Sequence, residues 1–170
     1  VLQPGYEEGR VQKFDNNGNF IANVIAEDTL NKPFGIAVGN NGDIFICEDT
    51  AQSLIRRFSS TGGFINQWNG HLYAKSLDLD SQDNVYTTSS AIYRRANKYT
   101  SSGAFLGSWG QGTFYDPRGI AVDSNDQIFI LDLGVGVGMP TVVYVYSYPA
   151  VSVGEGLSTS SWGRIKVRYR

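Results

Sequence analysis

The chain has 170 residues, with 14 lysines and arginines against 16 aspartates and glutamates, 20 glycines, one histidine and one cysteine. A single cysteine excludes an internal disulfide, and with one histidine it cannot complete a zinc site of the usual Cys/His kinds. A net charge of -2 and a pI near 5.3 lack the broad basic field of a nucleic-acid binder, and no apolar run reaches the roughly 18 residues of a membrane helix.

The elements read as short strands from the start. The chain opens at Val1 without a charged and apolar leader, as expected of a mature form or a fragment. Gly9 to Asp15 is strand-like and leads through Asn17-Gly18 to Phe20-Ile21. Pro33-Phe34-Gly35-Ile36-Ala37-Val38, a polar Asn40-Asn41-Gly42-Asp43 turn, and Ile44-Phe45-Ile46-Cys47-Glu48-Asp49 follow. Cys47 sits inside that run and reads as a small buried hydrophobe. Ile55-Arg56-Arg57-Phe58 leads through Gly62-Gly63 to Phe64-Ile65 and Trp68.

The same order then returns. Ala74-Lys75-Ser76-Leu77-Asp78-Leu79 and Val85-Tyr86-Thr87 are a degenerate copy, followed by Ala96-Asn97-Lys98-Tyr99, Ser102-Gly103, Phe105-Leu106 and Trp109. Pro117-Arg118-Gly119-Ile120-Ala121-Val122 and Ile128-Phe129-Ile130-Leu131-Asp132 restate the first unit almost word for word. Units therefore start at residues 33, 74 and 117, a period of 41 to 43 residues. Four short apolar runs per unit, punctuated by Asn-Gly, Gly-Gly or Ser-Gly and lacking helical periodicity, predict hairpin-linked antiparallel strands and a propeller blade.

On these motifs the stretch from residue 10 to 132 resembles the NHL repeat family, whose blades begin Pro-x-Gly-Ile-Ala-Val-Asp and carry a basic third strand and a Gly-x-Phe fourth strand. The middle unit departs at Ala74, Ser76 and Thr88, which predicts less regular turns there. A Gly-rich stretch from Gly134 to Pro140 lengthens the last unit and lacks the Gly-Lys-Ser/Thr ending of a phosphate-binding loop. The expected fold is all-β, with about three and a half blades: a partial blade over 1–26, blades over 27–70, 71–110 and 111–150, and a Ser/Gly linker with a C-terminal strand over 151–170.

Propellers close with four to eight blades, and the resemblance implies six. An array that stops early leaves bare sheet edges. It can be a piece of a longer propeller, close a ring with a second copy, or stack head to tail into a filament. The ending Trp162-Gly163-Arg164-Ile165-Lys166-Val167-Arg168-Tyr169-Arg170 alternates apolar and basic residues and reads as one strand, with Trp162, Ile165, Val167 and Tyr169 as candidate assembly residues. It either closes the chain's own sheet, hangs as a tail, or is donated to a neighbour.

The search for chemistry returns little. Relatives of amidating-lyase type hold a metal with several histidines, and this chain has only His71. Paraoxonase-like and gluconolactonase-like propellers bind calcium with acidic side chains, for which Glu48, Asp49 and Asp132 are candidates. Their simpler role is to cap turn backbone. No Gly-x-Ser-x-Gly elbow supports a hydrolase triad. Arg56-Arg57 and Arg94-Arg95 could suggest an RNA patch, but alternation sends adjacent residues to opposite faces. No Asn-x-Ser/Thr sequon occurs, so Ser60, Thr61, Thr88, Ser101 and Ser160, in Ser/Thr-rich segments read as turns, are the candidate O-glycan sites. The expectation is a self-associating extracellular or cell-surface structural module, with glycans as further partners and neither catalysis, cofactor, metal, nucleic acid nor membrane span. The alternative is a ligand-binding fragment of a larger NHL propeller, or a piece of a propeller enzyme whose metal ligands lie elsewhere.

Overall fold

A computed structural model describes residues 2–3, 9–50, 53–70, 73–90, 92–134, 141–147 and 163–168. For 2–3, 28, 147 and 163–168 the backbone alone is described. Fifteen strands in these residues form four antiparallel sheets. The first contains β1 (Leu2–Gln3), β2 (Gly9–Phe14) and β3 (Phe20–Leu30), in that order. The second runs β4 (Pro33–Val38), β5 (Ile44–Glu48), β6 (Leu54–Phe58) and β7 (Phe64–Asn69). The third repeats it with β8 (Ala74–Leu79), β9 (Val85–Ser89), β10 (Arg95–Tyr99) and β11 (Phe105–Trp109). The fourth holds β12 (Pro117–Val122), β13 (Gln127–Asp132), β14 (Val142–Ser147) and β15 (Gly163–Arg168). This is the expected all-β blade architecture.

Two features differ from the sequence reading. The first sheet gains β1, whose Leu2 and Gln3 pair with Val11 and Arg10; two residues are too short to give a periodic signal. The third sheet is as regular as its neighbours despite Ala74 and Ser76. Its inner pair bulges between Ala74 and Ser76, as the second does between Pro33 and Gly35 and the fourth between Pro117 and Gly119. The bulge therefore does not depend on proline.

Turn carboxylates repeat with the sheets. Asp15, Asp80 and Asp123 each accept through Oδ1 the N–H groups two and four residues ahead, at 2.8 to 3.0 Å, the Asx geometry that makes short polar turns self-sufficient. Burial alone would push the Asp80 carboxyl up, but bonds from Asn84 and the Lys98 ammonium outweigh it and hold it below its ordinary value. Asp83 and Asp126, both with positive φ, reach across to the preceding sheet. Asp83 Oδ1 accepts Asn40 N–H at 2.9 Å; Asp126 accepts the Ser81 N–H and hydroxyl, both at 2.7 Å. Each inner turn is clasped by the next.

Three apolar clusters fill the joints between sheets. Val11, Ile25 and Leu30 pack on Ile44, Ile46 and Phe58; Phe45, Cys47 and Ile55 pack on Ala74, Leu77, Val85 and Tyr99; Tyr86 and Ala96 pack on Ile120, Ile128, Ile130, Val142, Tyr144 and Tyr146. Strand alternation thus gives every interior sheet one face toward its predecessor and one toward its successor. At about 25 cal/mol per Å² of apolar surface removed from water, these joints are the main cohesive term.

Candidate assembly interface

Equivalent positions in successive sheets measure what covers each face. Phe58, Tyr99 and Tyr146 point toward the preceding sheet and are 1%, 1% and 5% exposed. Phe14 occupies the same place in the first sheet and is 37% exposed. At the other end, Cys47 and Thr88 face the succeeding sheet at 0% exposure, whereas Leu131 in their place is 39% exposed. Phe129, Val143 and Val145 share that last face and are half-buried, where Phe45 and Tyr86 are covered. The arc therefore ends, among its described residues, in two faces built from core-type residues.

Turn glycines tell the same story. A Cβ on Gly62 would run into the carbonyl oxygen of Val24 in the preceding outer strand, and one on Gly103 would lie 2.7 Å from Trp68 Cδ2. Gly18 is their counterpart, with φ +84, and meets nothing within 4 Å. Two of the three interior joints also share an aromatic relay: Trp68 lies 6.5 Å from Phe45 and 6.3 Å from Tyr99, while Trp109 lies 6.1 Å from Tyr86 and 6.0 Å from Tyr146. In both, a ring on the leading face meets the outer-strand Trp of the sheet before it, and that Trp meets the second-strand ring. Such edge-to-face and tilted contacts add about 0.5–1.5 kcal/mol each beyond area burial.

The C-terminal strand lies with the fourth sheet. Val143 and Val145 of β14 stand opposite Val167 and Ile165 of β15, so the structure pairs this segment within its own chain. Trp162 and Tyr169 lie outside the described residues, as do His71 and Ser160. Ser60 and Thr61 are exposed on the turn between β6 and β7, and Ser101 is half-buried on the next such turn, with its carbonyl accepting Arg57 Nη1 at 3.1 Å. Thr88 is a correction: it belongs to β9 rather than a turn, is 0% exposed, and its hydroxyl finds no partner. Strand alternation buries it where a polar run suggested a surface loop.

Two of the three acidic candidates hold backbone and the third a lysine. Glu48 Oε1 accepts Asn31 N–H at 3.0 Å and Arg56 Nη1 at 3.1 Å. Asp132 accepts the N–H groups of Tyr115 and Asp116 at 2.7 to 3.0 Å, yet burial pushes its carboxyl above the ordinary aspartate value. Asp49 pairs with Lys75 Nζ at 2.5 Å. Among the described residues no group of three or more His, Cys, Asp or Glu is placed to hold a metal ion. Arg56 and Arg57 do point to opposite faces, the first toward Glu48 and Thr29 O, the second toward Asp43 and Ser101 O.

The sequence reading missed Phe14, Gly18, Phe129, Leu131, Val143 and Val145 as residues of the two open faces. Phe14 stands at the repeat position of Phe58 and Tyr99, and lining up the three against the sheet that precedes each in the described residues is the signal that finds it.

No family model matches the chain, and no curated protein matches it. Membership of the NHL family is therefore not established, although the propeller-like fold is. Solved structures share that fold: a streptogramin B lyase (15% identity, TM-score 0.62, covering 96% of this chain and 53% of that one), a virginiamycin B lyase from Staphylococcus aureus (17%, TM-score 0.60, 98% and 54%), and a protein of unknown function from Bacteroides caccae (12%, TM-score 0.56, 84% and 51%). The expectation of a fold without catalysis is thereby corrected, because two of these structures are lyases. At such identities the likeness is one of fold alone, and this propeller-like arc of sheets spans about half the length of each structure it resembles.

Proposed function

We propose that this chain is an assembly module, a propeller segment that continues its stack of blades by joining further copies of itself. The observation that supports this reading is the exposure of core-type residues at both ends of the arc, Phe14 at one and Leu131 at the other, where every interior counterpart is covered. Soluble proteins seldom leave such faces uncovered without a partner. Exchange of β15 between copies is a second route to the same end, since the register that seats it on β14 is equally open to the strand of a neighbour. Light scattering on the purified chain across a concentration series tests the reading: a mass that rises in whole multiples of the protomer supports it, and a monomer at every concentration overturns it.

A second reading has its own support. Because the chain covers only 51–54% of the resembling structures, it fits one half of a longer propeller of the lyase shape, the remaining blades supplied by the same polypeptide. Intact-mass measurement of the protein from its source separates the two.

A further inference from the structure

We infer that the joint between copies is head to tail, with Phe14 and the Gly18 turn of one copy seated on the β13–β14–β15 face of the next; the inference rests on the self-association reading above. Both interior joints with an aromatic relay follow one rule. A ring of the leading face, Tyr99 or Tyr146, packs on the outer-strand residue of the sheet before it, Trp68 or Trp109, which in turn rests on a second-strand ring, Phe45 or Tyr86. In the first of these joints the turn glycine sits on the same outer strand, Gly103 over Trp68, as Gly62 sits over Val24 in the joint before it.

The two ends of the chain carry the separated halves of this rule. Phe14 and Gly18 are a leading ring and a turn glycine with no sheet before them among the described residues. Phe129 is a second-strand ring with no sheet after it among the described residues, and β15 supplies the outer strand, with Val167 at the register position of Trp68 and Trp109. Charge agrees. Arg10 on the leading face is matched by Glu27, and Gln12 Nε2 donates to Asn23 Oδ1, while Phe129, Leu131, Val143 and Val145 bring no charge to the other side. The joint therefore covers one ion pair whose charges are already matched to each other, and no lone charge is supplied by these residues of the other side. The contact is heterologous, so it propagates until a ring closes or a filament grows.

The occupant is a second copy, and the test is built on that. Phe14→Arg and Leu131→Arg each place a charge on a half-exposed position that the folded protomer does not need, so circular dichroism should be unchanged while the self-association constant falls by about 100-fold or more. Phe14→Cys and Phe129→Cys, made in separate chains and mixed, should give a covalent dimer with a short bismaleimide, and neither should do so alone. If the protein self-associates but both Arg variants associate as well as the parent and the mixed pair does not cross-link, the joint is wrong and the assembly reading survives. A parent chain that stays monomeric removes both.

Discussion

Arg57 and Asp43 form an ion pair, Nη2 to Oδ2 at 2.6 Å with Nε donating at 2.8 Å, on the edge of the joint between the second and third blades. The same guanidinium donates to Ser101 O of the next blade, so one side chain ties a turn in its own sheet to a turn in its successor. Replacement by Met keeps the stem but leaves a largely buried carboxylate unmatched, at a cost of about 2–3 kcal/mol. The urea midpoint of Arg57→Met should fall accordingly, and the double variant Arg57→Met with Asp43→Asn should recover part of the loss.

Cys47 is closed to solvent and burial pushes its thiol up to about 12. At pH 8 the native protein should leave a disulfide exchange reagent such as dithionitrobenzoate unconsumed, and one equivalent should react once urea unfolds it. Rapid reaction under native conditions would show that the second joint opens readily.

Gly35 marks where two inner strands come closest. A Cβ there would lie 3.0 Å from Leu77 N and 3.0 Å from Cys47 Sγ, with backbone on one side and a packed sulfur on the other. Gly35→Ala should cost about 1–3 kcal/mol as overpacking, read as a lower melting temperature. Gly107, in outer strand β11 with nothing within 4 Å, is the control: Gly107→Ala should be neutral or stabilise by a few tenths of a kcal/mol through the unfolded chain.

Two aspartates should move stability in opposite directions with pH. The folded Asp80 carboxyl is held below its ordinary 3.8, so its contribution is present above that value and lost as pH falls through the folded one. Asp132 is raised, so what it contributes is present below its ordinary value and lost as pH climbs through the folded one. Carboxyl carbon chemical shifts followed between pH 2 and 7 should place the Asp80 midpoint below and the Asp132 midpoint above that of an exposed aspartate.

Much of the fold is written plainly in the sequence, because a blade is specified by local signals. Asn17-Gly18, Gly62-Gly63 and Ser102-Gly103 fix turns, and alternation around Phe45 and Phe129 fixes faces. Thr87-Thr88-Ser89 misled for a related reason: polarity alone cannot separate a turn from a strand whose hydroxyls are buried beside Asn97. The interface was harder to see. Phe14 and Phe58 look alike as letters, and only the presence of a covering sheet distinguishes them. The propeller blades were legible, but the likeness to lyase structures was not, at 15–17% identity.

The clasp of Asp83 on Asn40, renewed by Asp126 on Ser81, has a consequence for how such an array can change in length. The third and fourth units each bring the hook that fastens them to the one before, and Ser124 offers the eye for one more. In-frame duplication or loss of a unit of the Asp83 or Asp126 kind would therefore preserve a working fastening at the new seam, so the gene can gain or shed such modules without first reinventing how they hold together.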